Sequence, residues 1–196
     1  DGESYGHHHP KGEMALAYVT EEIEKRDGVE LTNIASWLAL HPPTYEARIK
    51  APSSWSCAHG VERWRSDCGC AINPQDSDHQ RWRGPFRLAL DTVRDKALAA
   101  LKPWGETLFS APDRALMAYG LVMGETVEFE RWYAVHGQGK KSALATAHQW
   151  AEAHRHLLAM YTSCAWFFDE VTGIEAQQNL RHAACAMGLV NRRRNI

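Results

Sequence analysis

The chain has 196 residues, 22 Lys and Arg against 24 Asp and Glu, a formal net charge of -2 and 44% apolar side chains. That length supports one good core, or one core with an appendage. The near balance of charge excludes bulk attraction to nucleic acid or anionic lipid, and no apolar run approaches the ~20 residues of a membrane span or the h-region of a signal peptide.

The first nine residues, Asp1-Gly2-Glu3-Ser4-Tyr5-Gly6-His7-His8-His9, crowd carboxylates and histidines together before any core-building segment. Three histidines are too few for an affinity tag. Asp1, Glu3, His7 and His9 could ligate a divalent metal. Alternatively, carboxylates followed by Gly-His form a sugar-cleaving edge, with one acid donating a proton and a histidine binding a hydroxyl. The motif reads as the end of an element rather than a beginning, so the expectation is a piece of a longer chain.

From Lys11 to Arg26, Met14, Ala15, Tyr18, Val19 and Ile23 fall on one face at helical spacing. Asp27-Gly28 ends that helix, and Val29-Glu30-Leu31 is read as a short strand. Thr32 or Asn33 can cap a second helix carrying Ile34, Trp37 and Leu38. His41-Pro42-Pro43 stops it, because proline disfavours the α region in the residue before it.

Residues 44–80 lose periodicity and gain Pro, Ser, Gly, Cys and Trp. Irregular runs of this length in compact proteins are functional or disordered, and Trp55, Trp64 and Trp82 speak against disorder. The run from Ser53 to Cys70 allows three readings of its thiols. Cys57, His59, Cys68 and Cys70 could surround a tetrahedral zinc ion, although C-x-H and C-x-C are not the two-residue-gap knuckles of common zinc modules. The cysteines could instead be packed and reducible, or Cys57 could bridge to Cys68 or Cys70. A carbohydrate reading uses Trp55 and Trp64 as stacking faces and Glu62, Arg63 or Asp67 as hydroxyl partners. The competing reading makes both tryptophans bundle core.

Past Trp82 the pattern is helical. Phe86, Leu90, Val93, Ala97 and Leu101 form a stripe, with a break expected at Pro103-Trp104-Gly105. A second helix runs from Pro112, suited to a first turn, through Leu116, Tyr119, Met123 and Val127 towards Trp132. Two more cover Lys141 to Phe168 and Gly173 to Gly188. Short turns between them predict an antiparallel bundle. Trp166, Phe167 and Phe168 are consecutive and ~100° apart on a helix, so at least one must meet a loop, a neighbouring domain or a ligand. Asp169 and Glu170 beside them are either acids near an apolar wall, where a carboxyl pKa rises, or solvated helix-end charges. Arg192-Arg193-Arg194 is read as a solvated tail.

The odd count of five cysteines argues against a complete disulfide framework. Cys164 and Cys185 lie in helical patterns, where a free thiol behaves as a small hydrophobe. A reducing, cytoplasmic compartment follows.

Asp1-Gly2-Glu3-Ser4-Tyr5-Gly6-His7-His8, then Ser53-Ser54-Trp55 and Trp64, and finally Tyr161-Thr162-Ser163-Cys164-Ala165-Trp166-Phe167-Phe168-Asp169-Glu170, together resemble the C-terminal half of glycoside hydrolase family 57. The likeness is to a branch carrying Ser-Ser-Trp-Ser-Cys and Tyr-Thr-Ser-Cys as signatures. The resemblance implies a mainly α chain: a helical bundle following the last strand or loop of an incomplete (β/α) barrel that is absent here. It implies that residues 1–43 are the tail of the barrel, 44–80 an active-site loop and 81–196 the C-terminal bundle. Asp1 matches the general acid/base. Glu3 and His7 match the polar positions beside it, and Trp55, Trp64, Trp166 and Asp169 match groove-lining positions for an α-glucan or oligosaccharide. No cofactor is implied.

A retaining mechanism needs two carboxyl groups about 5 Å apart, and the family's glutamate nucleophile lies on an earlier barrel strand. The implied function is a fragment of a retaining α-glucan hydrolase or transglycosidase, inactive without its barrel. The alternatives are a non-catalytic glucan- or protein-binding module, or a structural zinc domain.

Overall fold

A computed structural model describes residues 5–6, 9–75, 79–139 and 141–194. The chain divides into two units, Asp1–Ile49 and Lys50–Ile196. It is mainly helical, and no strand forms among the described residues beyond isolated bridges such as Ser54 with Cys57.

In the first unit, α1 (Gly12–Glu24) and α2 (Ile34–Leu40) lie where the apolar spacing places them. Asn33 caps α2, its Oδ1 accepting the Ser36 N–H at 2.9 Å. The helix ends at His41, ahead of Pro42. The expected strand at 29–31 is absent. Without a partner strand among the described residues, three residues have nowhere to place ladder hydrogen bonds. The α1 stripe forms but is not covered, with Met14, Tyr18 and Val19 all exposed.

The second unit holds the core. After the irregular segment come α3 (Arg83–Leu108), α4 (Pro112–Met123), α5 (Phe129–His136), α6 (Leu144–Ala159), α7 (Cys164–Phe167) and α8 (Ile174–Arg194). Helix α6 packs against α8, α3, α5 and α4, and α8 also packs on α7 and α3. Buried alanines on α6 (Ala147, Ala151, Ala153) and on α8 (Ala176, Ala183, Ala186) let those helices close up. Phe109, Tyr119, Trp132, Tyr133 and Trp150 fill the centre with tilted and edge-on rings 4.9–6.0 Å apart.

Four predicted helix boundaries are corrected. Helix α3 does not break at Pro103 but continues past it to Leu108. A mid-helix proline costs about 3 kcal/mol. Here Leu101, Trp104 and Leu108 are buried on the same helix, and each large apolar side chain returns about 1.5–3 kcal/mol. Gly105 leaves room for the Trp150 indole, whose Cζ2 would stand 2.9 Å from an added Cβ. Trp150 Nε1 also donates to the Leu101 carbonyl at 3.0 Å.

The second predicted helix is really α4 and α5, separated where Gly124 ends the turn and Glu125 takes φ 54°. The third splits into α6 and α7, because Met160 to Thr162 turn the chain aside. Helix α8 also continues past Gly188 to Arg194. No helix among the described residues is long and apolar enough to cross a membrane.

Candidate functional site

The irregular segment, residues 50–82, is held to the bundle mainly by polar anchors. Arg63, on the 3-10 turn Glu62–Trp64, is only 4% exposed. It donates to the Ser56 carbonyl at 3.0 Å and to the Phe167 carbonyl, and its guanidinium lies 4.3 Å over the Phe167 ring. Arg83, the first residue of α3, is fully buried and donates to the carbonyls of Cys70 at 2.8 Å and Phe168 at 3.5 Å.

Asp169 completes the clamp from the other side. Its carboxylate accepts the backbone N–H groups of Ile72 and Asn73 at 2.7–2.9 Å and lies 3.9 Å from Arg83. Burial and the neighbouring Arg63 charge press the Arg83 pKa down, while Cys68, Asp169 and Cys70 oppose that shift. The segment Ser163–Glu170 therefore serves as the seat of the loop.

Inside the loop, four ligating side chains converge. Cys57, His59, Cys68 and Cys70 place their donor atoms within 4.8 Å of one another. Cys57 Sγ stands 3.9 Å from Cys68 Sγ, 3.8 Å from Cys70 Sγ and 3.9 Å from His59 Nδ1, and Cys70 Sγ stands 3.6 Å from the same nitrogen. No pair is bridged, and these separations far exceed the ~2.05 Å of a disulfide.

Two glycines make the convergence possible. Gly69 adopts φ 78° between Cys68 and Cys70, and Gly60 adopts φ 80° directly after His59. That left-handed geometry folds the chain back so that neighbouring side chains point to one centre. Burial pushes the Cys57 thiol up. The N–H groups of Arg63 and His59, with the side chains of His59 and Cys70, outweigh burial and bring it down to about 7. Cys70 moves the other way, raised by burial and by the thiols of Cys68 and Cys57.

The described residues singled out from the sequence meet different surroundings. Asp1, Glu3 and His7 lie outside the described residues. Trp55 is 83% exposed, and its ring rests at 5.7 Å on Phe167, tilted by 40°. Trp64 is half-buried against the core. It donates from Nε1 to the Ser163 carbonyl at 3.1 Å and lines a cleft of about 510 Å³ with Val61, Arg65, Arg87, Asp91 and Ser163.

Trp166 has to be corrected as a groove residue. It is fully buried, and its Nε1 donates to the Arg83 carbonyl at 3.2 Å, so neither ring face is open to a ligand. Asp169 spends its oxygens on backbone N–H groups rather than standing free against an apolar wall. Of the three consecutive aromatics, Trp166 enters the core, Phe167 meets the loop and Phe168 stays partly exposed.

The loop residues expected to bind hydroxyls brace the loop itself. Glu62 accepts from Ser66 Oγ at 2.7 Å and Arg65 Nε at 2.8 Å, and Asp67 accepts the Gln80 N–H at 3.1 Å. Cys164 and Cys185 are exposed rather than packed. Arg83 escaped sequence reasoning, since a charged residue beside Trp82 gives no sign that it will be the most deeply buried cation of the described structure.

Comparison with curated proteins and with solved structures finds no match in either set. One family model does match, over residues 79–195, which spans more than half of the chain and takes in α3 to α8. On that match the chain belongs to the family described as Domain of unknown function (DUF3536).

Proposed function

We propose that this chain is part of a retaining α-glucan-active glycoside hydrolase or transglycosidase, to which it contributes a sugar-stacking surface. The observation that carries the reading is Trp55. It is a large aromatic face left 83% open to solvent, on a loop whose neighbouring residues are anchored by Arg63 and backed by Phe167. A pyranose ring offers the flat C–H face that such a side chain stacks on, and a fixed ring loses little entropy on binding. The cleft beside Trp64 supports the same reading. It sets an aromatic edge next to Arg87 and Asp91, which suit hydroxyl groups, and Asp91 is oriented by Tyr161 Oη at 2.6 Å.

The resemblance of the opening motif to glycoside hydrolase family 57 adds the catalytic part of the proposal. Asp1 is the general acid/base, Glu3 and His7 sit beside it, and the glutamate nucleophile comes from a barrel preceding the motif. Unbridged cysteines agree with a cytoplasmic setting.

The test has two arms. Binding of glycogen and maltooligosaccharides is measured on this chain, with Trp55→Ala and Trp64→Ala as variants. Turnover is measured on a longer protein that includes the barrel, with and without Asp1→Asn. Loss of one stacking face costs about 1–2 kcal/mol, a five- to thirtyfold loss of affinity. Unchanged affinity in both tryptophan variants refutes the stacking surface. Saccharide binding without turnover in the barrel-containing protein makes the chain a non-catalytic glucan-binding module instead.

A further inference from the structure

We propose that Cys57, His59, Cys68 and Cys70 bind a single zinc ion in a closed tetrahedral site that staples the irregular loop together. This goes beyond the glucan reading and does not depend on it.

The distances carry the argument first. Zn–S bonds of about 2.3 Å and a Zn–N bond of about 2.0–2.1 Å at tetrahedral angles put two sulfurs about 3.8 Å apart, and a sulfur and nitrogen about 3.6 Å apart. Two of the three sulfur pairs here stand at 3.8 and 3.9 Å, two of the three sulfur–nitrogen pairs at 3.6 and 3.9 Å, and the pairs of Cys68 with Cys70 and His59 lie within 4.8 Å. All four donor atoms fit within 4.8 Å of one another, which leaves room for one ion and not for an iron–sulfur cluster. Three thiolates and an imidazole are a soft donor set that selects zinc over calcium or magnesium. With every tetrahedral position filled by protein, no position is left for a water or substrate, so the site is structural.

Charge supplies a second, separate argument. Arg63 and Arg83 are 4% and 0% exposed. Among the described residues the only carboxylate within ion-pair reach of either is Asp169, 3.9 Å from Arg83. A buried cation without a counter-charge is strongly unfavourable. Zinc with three thiolates and a neutral imidazole leaves one net negative charge beside both guanidiniums, and Arg83 donates to the carbonyl of the ligand Cys70 itself.

A third argument is what the loop lacks. Among the described residues between 50 and 82 only Cys57, Arg63 and Gln80 are buried, so these supply no apolar core for the segment. A metal that joins positions 57, 59, 68 and 70 supplies that missing constraint.

The experiment measures metal content of the full untagged chain by mass spectrometry after gel filtration, followed by exchange into cobalt. The expected result is about one zinc per chain. Cobalt loading should give intense visible d–d bands and a sulfur-to-cobalt charge-transfer band, the signature of tetrahedral thiolate ligation. Cys68→Ser with Cys70→Ser should lose the metal, and Cys164→Ser with Cys185→Ser should keep it. The wild-type cobalt spectrum decides the matter even where the first double variant fails to fold. A folded wild-type chain with no zinc and no thiolate–cobalt band overturns the proposal, as does metal that survives loss of Cys68 and Cys70. A chain that holds zinc but no saccharide refutes the glucan reading alone, and one that binds saccharide without metal refutes the zinc site alone.

Discussion

Asp169 offers a sharp contrast between a binding role and a clamping role. Replacing it with Asn preserves shape but removes the charge that faces Arg83 and two backbone N–H groups. Hydrogen bonds to a charged acceptor contribute about 1.5–3 kcal/mol and neutral ones about 1 kcal/mol. The amide can keep one acceptor in place, while its NH2 then confronts the other N–H. Arg83, fully buried, meanwhile loses an anion at 3.9 Å. That is a gross attraction of about 4 kcal/mol at the effective dielectric of protein sites.

After the lost cost of desolvating the carboxylate is set against these terms, the net destabilisation is about 3 kcal/mol. For a unit of this size it appears as a fall in Tm of about 10 °C. The assay is thermal and urea unfolding followed by helical circular dichroism, with Arg83→Met and the double variant completing a cycle. A coupling of about 1 kcal/mol or more between the two sites is expected. A change below about 0.5 kcal/mol in Asp169→Asn, or no coupling to Arg83, refutes the clamp and returns Asp169 to the role of a free groove acid.

The remaining expectations concern the bundle. Burial pushes the His154 imidazole down to about 4, against a smaller opposing effect of Asp113. The folded chain therefore keeps His154 neutral, while the unfolded chain takes up a proton below about 6.5. This contribution is present above pH 6.5 and declines as pH falls towards about 4, by on the order of 3 kcal/mol. His154→Phe, which preserves the edge-on contact with Trp150, should flatten urea-derived stability across that window, and an unchanged slope refutes the assignment.

Gly105→Ala is expected to destabilise despite the better helix propensity of alanine, because the new Cβ meets Trp150 at 2.9–3.0 Å. Propensity gains about 1 kcal/mol and overpacking costs about 1–3 kcal/mol, so a higher Tm in this variant contradicts the packing. Removing metal from the loop should expose Trp55, Trp64 and their neighbours to protease while leaving α6 and α8 protected from hydrogen exchange. Equal protection of the loop with and without metal contradicts the staple.

Much of this architecture was legible in one dimension. The 3.6-residue stripe from Phe86 to Leu101, Asn33 ahead of Ile34, Pro112 at the start of α4 and His41-Pro42 at the end of α2 are local signals, and local backbone energetics acts on them directly. The absence of a periodic apolar face in residues 44–80 and the ligating side chains at 57, 59, 68 and 70 could also be read there. What spacing alone leaves open is whether those four meet.

Tertiary packing decided the rest. Pro103 stops a helix by local rules, yet burial of Leu101, Trp104 and Leu108 carries α3 through it. Trp55 and Trp166 are both expected from the sequence to line a groove, but one is open to solvent and the other wholly enclosed under the Arg83 carbonyl. The thiols converge because Gly60 and Gly69 turn the loop and because Arg63, Arg83 and Asp169 fasten it to residues a hundred positions away. Those long-range bonds depend on which carbonyls the bundle leaves facing the loop, a property of the packed helices that no window of sequence contains.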